Sequence, residues 1–244
     1  MGRGPSIEGR KNAEDAKRAK VFTKLIREIT VATRAGVPDP ALNPRLRTAV
    51  DKALTANMSK DTIERAIKRG SGADGGAKME ELRYEGYGPG GIALIIECFT
   101  DNTTRTVADV RHALTKHGGN LGTSGSVAFQ FTRCGELVFV TGGDEAKEEK
   151  ILEAALDAGA DDVINENGES TVLCAPENFE AVQQKLIDAG LDAQHAGVVM
   201  RPNNRSAVSG ETLETLLDLI EKLDSLDDVS EVYHNALLPA DAAG

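Results

Sequence analysis

Between about Asn12 and Arg34 the apolar residues Phe22, Leu25, Ile26, Ile29 and Ala32 recur every three or four positions, the spacing that lines one face of an α-helix. Lys17, Lys20, Lys24, Arg27 and Arg34 fall on the opposite side, so one face is core and the other cationic. Residues 36–40 end this helix. Asn43-Pro44 opens a second with a capping side chain followed by Pro, and Leu46, Val50 and Leu54 give it a buried stripe. Ser59 caps a third helix carrying Ile63, Ala66 and Ile67. It closes at Lys68-Arg69-Gly70, with cations in the last turn and glycine where left-handed backbone is favoured. Residues 1–70 therefore read as a three-helix unit.

Ser71-Gly72-Ala73-Asp74-Gly75-Gly76 is a flexible linker by composition, so the helical head is expected to move relative to the rest of the chain. Beyond it the pattern alternates between strands and helices: a strand over 91–99, a helix over 105–117 and a strand over 126–132. Then come strand 135–140, helix 146–158, strands 162–166 and 170–174, helix 177–189 and strand 193–201. That βαββαβ order predicts a ferredoxin-like sandwich. A last helix over 210–223 and a strand over 230–233 have no partners nearby and are expected to return to the 91–132 unit. The predicted fold is α+β and multidomain: a helical domain with its linker over 1–76, a discontinuous α/β domain over 77–133 plus 205–244, and a ferredoxin-like α/β domain over 134–204.

Charge changes this picture more than composition does. The chain has 244 residues and a formal net charge of −11. Residues 1–70 hold 16 Lys and Arg against 8 Asp and Glu, net +8, and residues 71–244 hold 12 against 31, net −19. A basic head on an acidic body suggests a polyanion partner for the head, and the overall acidity does not exclude nucleic acid. The competing reading is that these charges only keep a helical domain soluble. Three isolated cysteines, Cys98, Cys134 and Cys174, make neither a disulfide framework nor a CxxC metal site. No apolar run approaches the ~18 residues needed to span a bilayer, and there is no apolar signal-peptide core. The expectation is a cytoplasmic protein with no membrane partner, cofactor or metal.

Catalytic constellations fail in turn. There is no GxxxxGK[ST] loop and no HExxH. Gly122-Thr123-Ser124-Gly125-Ser126 lacks the final glycine of a GxSxG elbow, and His112, His117, His195 and His234 are scattered. An enzyme with a site around Ser124 or Arg105 stays only as a minority reading, and no catalytic residue is assigned. Two glycine-rich stretches remain. Tyr84-Glu85-Gly86-Tyr87-Gly88-Pro89-Gly90-Gly91 precedes a strand, and Gly118-Gly119-Asn120-Leu121-Gly122-Thr123-Ser124-Gly125 joins a helix to a strand. Glycines let backbone approach a phosphate closely, or simply make turns. Tyr84 and Tyr87 could stack on bases. Asn102 and Arg105 stand at a helix start, where they could hold an anion or merely cap the helix. The cations Arg10, Lys11, Lys17, Arg18, Lys20, Lys24 and Arg27, extended by Arg45, Arg47, Lys60, Lys68 and Arg69, could follow a phosphate backbone without reading sequence.

Several long segments carry a resemblance. Asp15-Ala16-Lys17-Arg18-Ala19-Lys20-Val21-Phe22-Thr23-Lys24-Leu25-Ile26-Arg27-Glu28-Ile29, then Asn43-Pro44-Arg45-Leu46-Arg47, then Asn57-Met58-Ser59-Lys60-Asp61-Thr62-Ile63-Glu64-Arg65-Ala66-Ile67, and both glycine stretches are similar to the bacterial YebC/PmpR family. The likeness spans nearly the whole chain. It implies three domains around a central cavity and a DNA-binding transcriptional regulator, while mitochondrial relatives look like translational activators and bacterial ones have been linked to ribosomes stalled at proline-rich sequences. It also implies a nucleic-acid role for both glycine stretches, so the expected loop contacts are Tyr84, Tyr87, Gly88, Gly90, Gly91, Asn120 and Ser124, joined by Asn102 and Arg105 from the helix start. The start departs from the family pattern: Gly2-Arg3-Gly4-Pro5-Ser6-Ile7 lacks the His and Trp that many members carry. Two readings stand open: a DNA-binding transcriptional regulator, or a translation factor docked on ribosomal or transfer RNA, with the ribosome as its partner. The sequence leaves the oligomeric state unknown.

Overall fold

The computed structural model describes residues 7–73 and 79–238, with side chains described from residue 21 onward. The chain divides into two compact units: residues 128–205, and the rest.

The larger unit begins with three helices, α1 (Ile7–Ala35), α2 (Pro44–Thr55) and α3 (Lys60–Gly70). Ile29 and Ala32 of α1, Leu46, Ala49 and Ala53 of α2, and Ile63 and Ala66 of α3 share one apolar core with Met58. Asn43 fastens the first connection: its Oδ1 accepts from Leu46 N at 3.1 Å and its Nδ2 donates to Ala32 O at 2.8 Å and Val37 O at 2.9 Å. One amide thus caps α2 and satisfies carbonyls at the end of α1. Gly70 differs from expectation. It is the last residue of α3, and its φ is not positive. A Cβ there would lie 2.7 Å from Thr30 O and 2.7 Å from Thr33 Cβ, so glycine is required by the close approach of α3 to α1. The linker stretch from Asp74 onward lies outside the described residues.

The same unit holds an antiparallel sheet of order β3-β1-β2-β9, made by β1 (Glu80–Tyr87), β2 (Ala93–Thr100), β3 (Asn120–Leu121) and β9 (Val229–His234). Helices α4 (Thr103–Lys116) and α7 (Gly210–Asp224) supply Val110, Leu114, Leu219 and Leu223 to a core with Leu94 and Ile96. Ile92 and residues 93–96 of the central strand are fully buried, which explains their unbroken apolar run. Between Glu97 and Cys98 the register of β2 against β9 shifts, and Phe99 N–H donates to Asp228 O at 2.8 Å. A two-stranded parallel pair, β8 (Ser206–Ala207) and β10 (Ala236–Leu237), completes the unit.

Residues 128–205 run β4 (Phe131–Val140), α5 (Glu145–Ala158), β5 (Asp162–Glu166), β6 (Glu169–Cys174), α6 (Phe179–Asp188) and β7 (His195–Pro202). Their antiparallel order β5-β6-β4-β7 is the ferredoxin-like arrangement. Leu137, Phe139, Ile151, Val172 and Leu186 fill its core.

Three expectations change. The stretch 126–132 is not a strand: residues 123–126 turn, Ala128–Gln130 is a 3-10 turn, and Phe131 starts β4, which pairs unbroken with β7 from Phe131–Pro202 to Val138–His195. Gly135, read in the sequence as the start of a new strand, sits inside β4, where a Cβ would meet Cys174 Sγ at 2.6 Å and only glycine fits. Residues 84–87, expected in a loop, belong to β1, whose Gly86, with the glycines that follow the strand, masks a strand alternation.

Candidate nucleic-acid interface

The sequence placed twelve cations on the helical head, and the structure divides them by what holds them. Arg10, Lys11, Lys17, Arg18 and Lys20 lie on the N-terminal half of α1, and their side chains are outside the described residues. Lys60, at the start of α3, and Lys68 and Arg69, in its last turn, are exposed. Arg47 folds back instead. Its Nε donates to Pro40 O at 3.0 Å and its Nη2 to Ala41 O at 3.1 Å, which stitches the α1–α2 connection. Arg45 donates to both carboxylate oxygens of Glu28 and lies 3.8 Å from Glu81 of β1.

Lys24 and Arg27 point to the acidic corner between α7 and β9. Lys24 Nζ is 3.2 Å from Asp224 Oδ1, an exposed pair. Arg27 Nη2 donates to Asp228 Oδ1 at 3.1 Å, and the Asp228 side chain is only 7% exposed. Arg105, on the first turn of α4, donates to the same carboxylate from Nε and Nη2, each at 3.0 Å. Thr106 Oγ1 adds a bond at 2.9 Å and Thr100 Oγ1 joins Thr106 at 2.8 Å. Asp228 therefore gathers α1, α4 and β2 onto one buried charge. Such burial is tolerated because two guanidiniums and a hydroxyl fill its acceptor sites.

The start of α4 is a structural cap. Asn102 Oδ1 accepts from Arg105 N at 2.9 Å, and Arg105 also binds Asp101 at 2.9 Å. That hydrogen bond holds the Asp101 carboxyl below its ordinary range. A cleft of about 560 Å³ opens beside the cluster, lined by Arg27, Asp101, Arg105, Thr106, Lys222 and Asp228 among others. Its charges are mixed. The Cys98 thiol, behind the cluster, is pushed up to about 12 by burial and then by the Asp228 charge, so it is a core thiol rather than a nucleophile.

The two glycine stretches, far apart in sequence, form one structure. β3 pairs with Gly86 and Tyr87 of β1, and Gly119 passes so close that a Cβ would fall 2.3 Å from Tyr87 O. Gly122 N–H donates to Glu85 O at 2.8 Å. Glu85, 5% exposed, turns its carboxylate under the loop and accepts from Gly125 N–H and, at 3.0 Å, from Val127 N–H. The Tyr87 hydroxyl donates to Ser126 O at 3.2 Å. Thr123 and Ser124 are thereby presented at an exposed tip, with Asn120 exposed beside it in β3. Tyr84 instead packs on the core around Leu94 and Val110, and burial raises its phenol. Its ring is part of the core packing of the sheet. Gly88 N–H and Gly91 N–H close the β1–β2 turn, in which Gly90 and Gly91 have φ of 70° and 73°.

Asp228 and Glu85 went unnoticed in the sequence. Asp228 is one of many acidic residues there. Glu85 stands inside a glycine motif, and a carboxylate among turn residues is a weak signal that could have marked it as an acceptor for backbone amides. Among the described residues no group of three or more His, Cys, Asp or Glu could hold a metal ion. No described helix is long and apolar enough to cross a membrane.

Comparison with known proteins covers most of the chain. Residues 4–73 match the family described as TACO1/YebC protein N-terminal domain, and residues 79–236 match TACO1/YebC second and third domain. A protein of Xanthomonas campestris pv. campestris strain B100, named a probable transcriptional regulatory protein, is 57% identical over 96% of this chain and 97% of its own. One of Stenotrophomonas maltophilia with the same description is 56% identical over 99% of both. The crystal structure of a conserved hypothetical protein from Aquifex aeolicus superimposes with a TM-score of 0.82 at 43% identity, covering 92% of each chain.

Proposed function

The chain belongs to the TACO1/YebC family, and from that premise we propose that it is a nucleic-acid-binding regulator of gene expression that acts without catalysis. The observation that carries this reading is the charge division: 16 Lys and Arg against 8 Asp and Glu in residues 1–70, on a remainder of opposite sign. Phosphate contacts from such a face release counterions and bind without regard to sequence. The regulatory role of the named relatives favours DNA as the polyanion.

A second reading, RNA on a ribosome, is favoured by the engagement of Lys24, Arg27, Arg45 and Arg47 within the protein. A head that commits some of its cations to internal bonds, beside an acidic body, is better suited to a bounded docking site than to wrapping along a duplex.

Fluorescence anisotropy with a 20-base-pair duplex DNA and a structured RNA of equal charge, repeated across NaCl concentrations, tests both. With about five phosphate contacts the duplex should show a log–log salt slope of about −4.5. Stronger binding to RNA, with co-sedimentation on ribosomes, selects the second reading. Lack of salt-sensitive binding to either probe overturns nucleic-acid binding.

A further inference from the structure

We propose that Asp224 and Glu81 are internal competitors that set the affinity of the cationic face, so that phosphates bind Lys24 and Arg45 by exchange with these carboxylates. This rests on the nucleic-acid reading above. Lys24 lies on the same helix as Lys17 and Lys20, about one turn beyond Lys20 and two beyond Lys17, so a phosphate chain following α1 reaches it.

The cations held by the sheet side of this unit fall into two grades. Arg27 belongs to the buried Asp228 cluster, where Arg105 and Thr106 share the same carboxylate. Withdrawing it would take from the buried Asp228 one of its two guanidinium partners, so Arg27 stays and fixes the helix. Lys24–Asp224 and Arg45–Glu81 are different. Their side chains are 36% and 46% exposed in the first pair, 48% and 61% in the second. Exposed pairs are worth about 0–1 kcal/mol, which a phosphate offering a charge-assisted bond can replace. Arg45 stays hydrogen-bonded to Glu28, its nearer partner at 3.0 Å, whereas Glu81 is 3.8 Å away, so Lys24 is the more freely exchanged.

The geometry thus separates a fixed fastening from a releasable one on a single helix, three residues apart. Until a polyanion arrives, the protein's own carboxylates occupy the cations, which keeps the face from binding weak or isolated anions.

The test compares wild type with Asp224→Asn, Glu81→Gln and a control, Asp227→Asn, which removes an equal charge from an exposed position in the same corner. Anisotropy uses the duplex DNA and structured RNA probes above. In parallel, a water-soluble carbodiimide joins the Lys24 amine to the Asp224 carboxylate in the wild type, and mass spectrometry reads the yield with and without probe. The expected result is about two- to fivefold tighter binding for Asp224→Asn, from an exposed pair of up to about 1 kcal/mol, and a smaller gain for Glu81→Gln. The control should change less than either, and the cross-link should fall as probe saturates. Wild-type binding with an unchanged cross-link, or an Asp224→Asn gain no larger than the control's, overturns the competition alone. If neither wild type nor any variant binds either probe, the nucleic-acid reading falls and the competition with it.

Discussion

Glu85 and Asp228 are both buried carboxylates in the same unit, yet they are satisfied in opposite ways. Glu85 accepts from the backbone amides of Gly125 and Val127, donors that every loop sequence supplies. Asp228 accepts from the side chains of Arg27, Arg105 and Thr106, donors that exist only with those residues. The first orders a loop forty residues away in the chain, and the second ties the helical head to the sheet across about two hundred. The lesson is where variation is tolerated. The loop tip can change its side chains without loosening its anchor, whereas the head's orientation depends on particular cations.

Substitutions can break this comparison at either end, and the largest effect belongs to Asp228. Asp228→Ala leaves Arg27 without its carboxylate partner and Arg105 with only the exposed Asp101, and should destabilise the larger unit by about 3 kcal/mol. Urea denaturation should show it, and hydrogen exchange should rise along α1 and at the start of α4. Exchange confined to the loop would mean that the cluster does not hold the head.

Glu85→Ala should cost about 2 kcal/mol by stranding two loop amides, with faster exchange confined to residues 122–127 and α1 unaffected. Glu85→Gln, which keeps one acceptor, should fall between it and wild type. Gly119→Ala sharpens the same point, since its Cβ would lie 2.3 Å from Tyr87 O and must push β3 off β1. A loss of about 1–2 kcal/mol and faster exchange of the β3 amides are expected from a clash with backbone.

The smallest effect is pH-dependent. The hydrogen bond from Arg105 lowers the Asp101 carboxyl, so its contribution is complete above the unfolded carboxylate range, about pH 4, and is lost as pH falls through the lowered value. Asp101→Asn should therefore differ slightly from wild type in urea midpoint at pH 7 and match it at the acid end. A difference that grows with acidity would reverse the sign.

Much of the architecture was legible because it is local. Apolar spacing marked α1, α2 and α3, Asn43-Pro44 and Ser59 marked two helix starts, and the βαββαβ order marked the ferredoxin-like unit. Strand β1 was missed because Gly86 and the glycines after it read as turn residues, although its Leu82 and Tyr84 alternate toward the core. The candidate interface was legible in kind but not in use. Lys24, Arg27, Arg45 and Arg47 were recognised as cations, and Asn102 as a capping side chain. Which cation faces which acid could not be read from spacing, because a sequence with 39 acidic residues offers each one many partners.

The sequence by itself determined the helices and most strands, the ferredoxin-like order, the charge division and the family. Periodicity, caps and composition act within a few residues and survive without a fold. Only the tertiary structure decided that Asp228 joins Arg27 to Arg105, that Glu85 holds the Gly122–Val127 loop, and that Tyr84 serves the core. Those contacts depend on strand register, where one residue of slip exchanges the two faces of a sheet, and on side chains brought together from opposite ends of the chain.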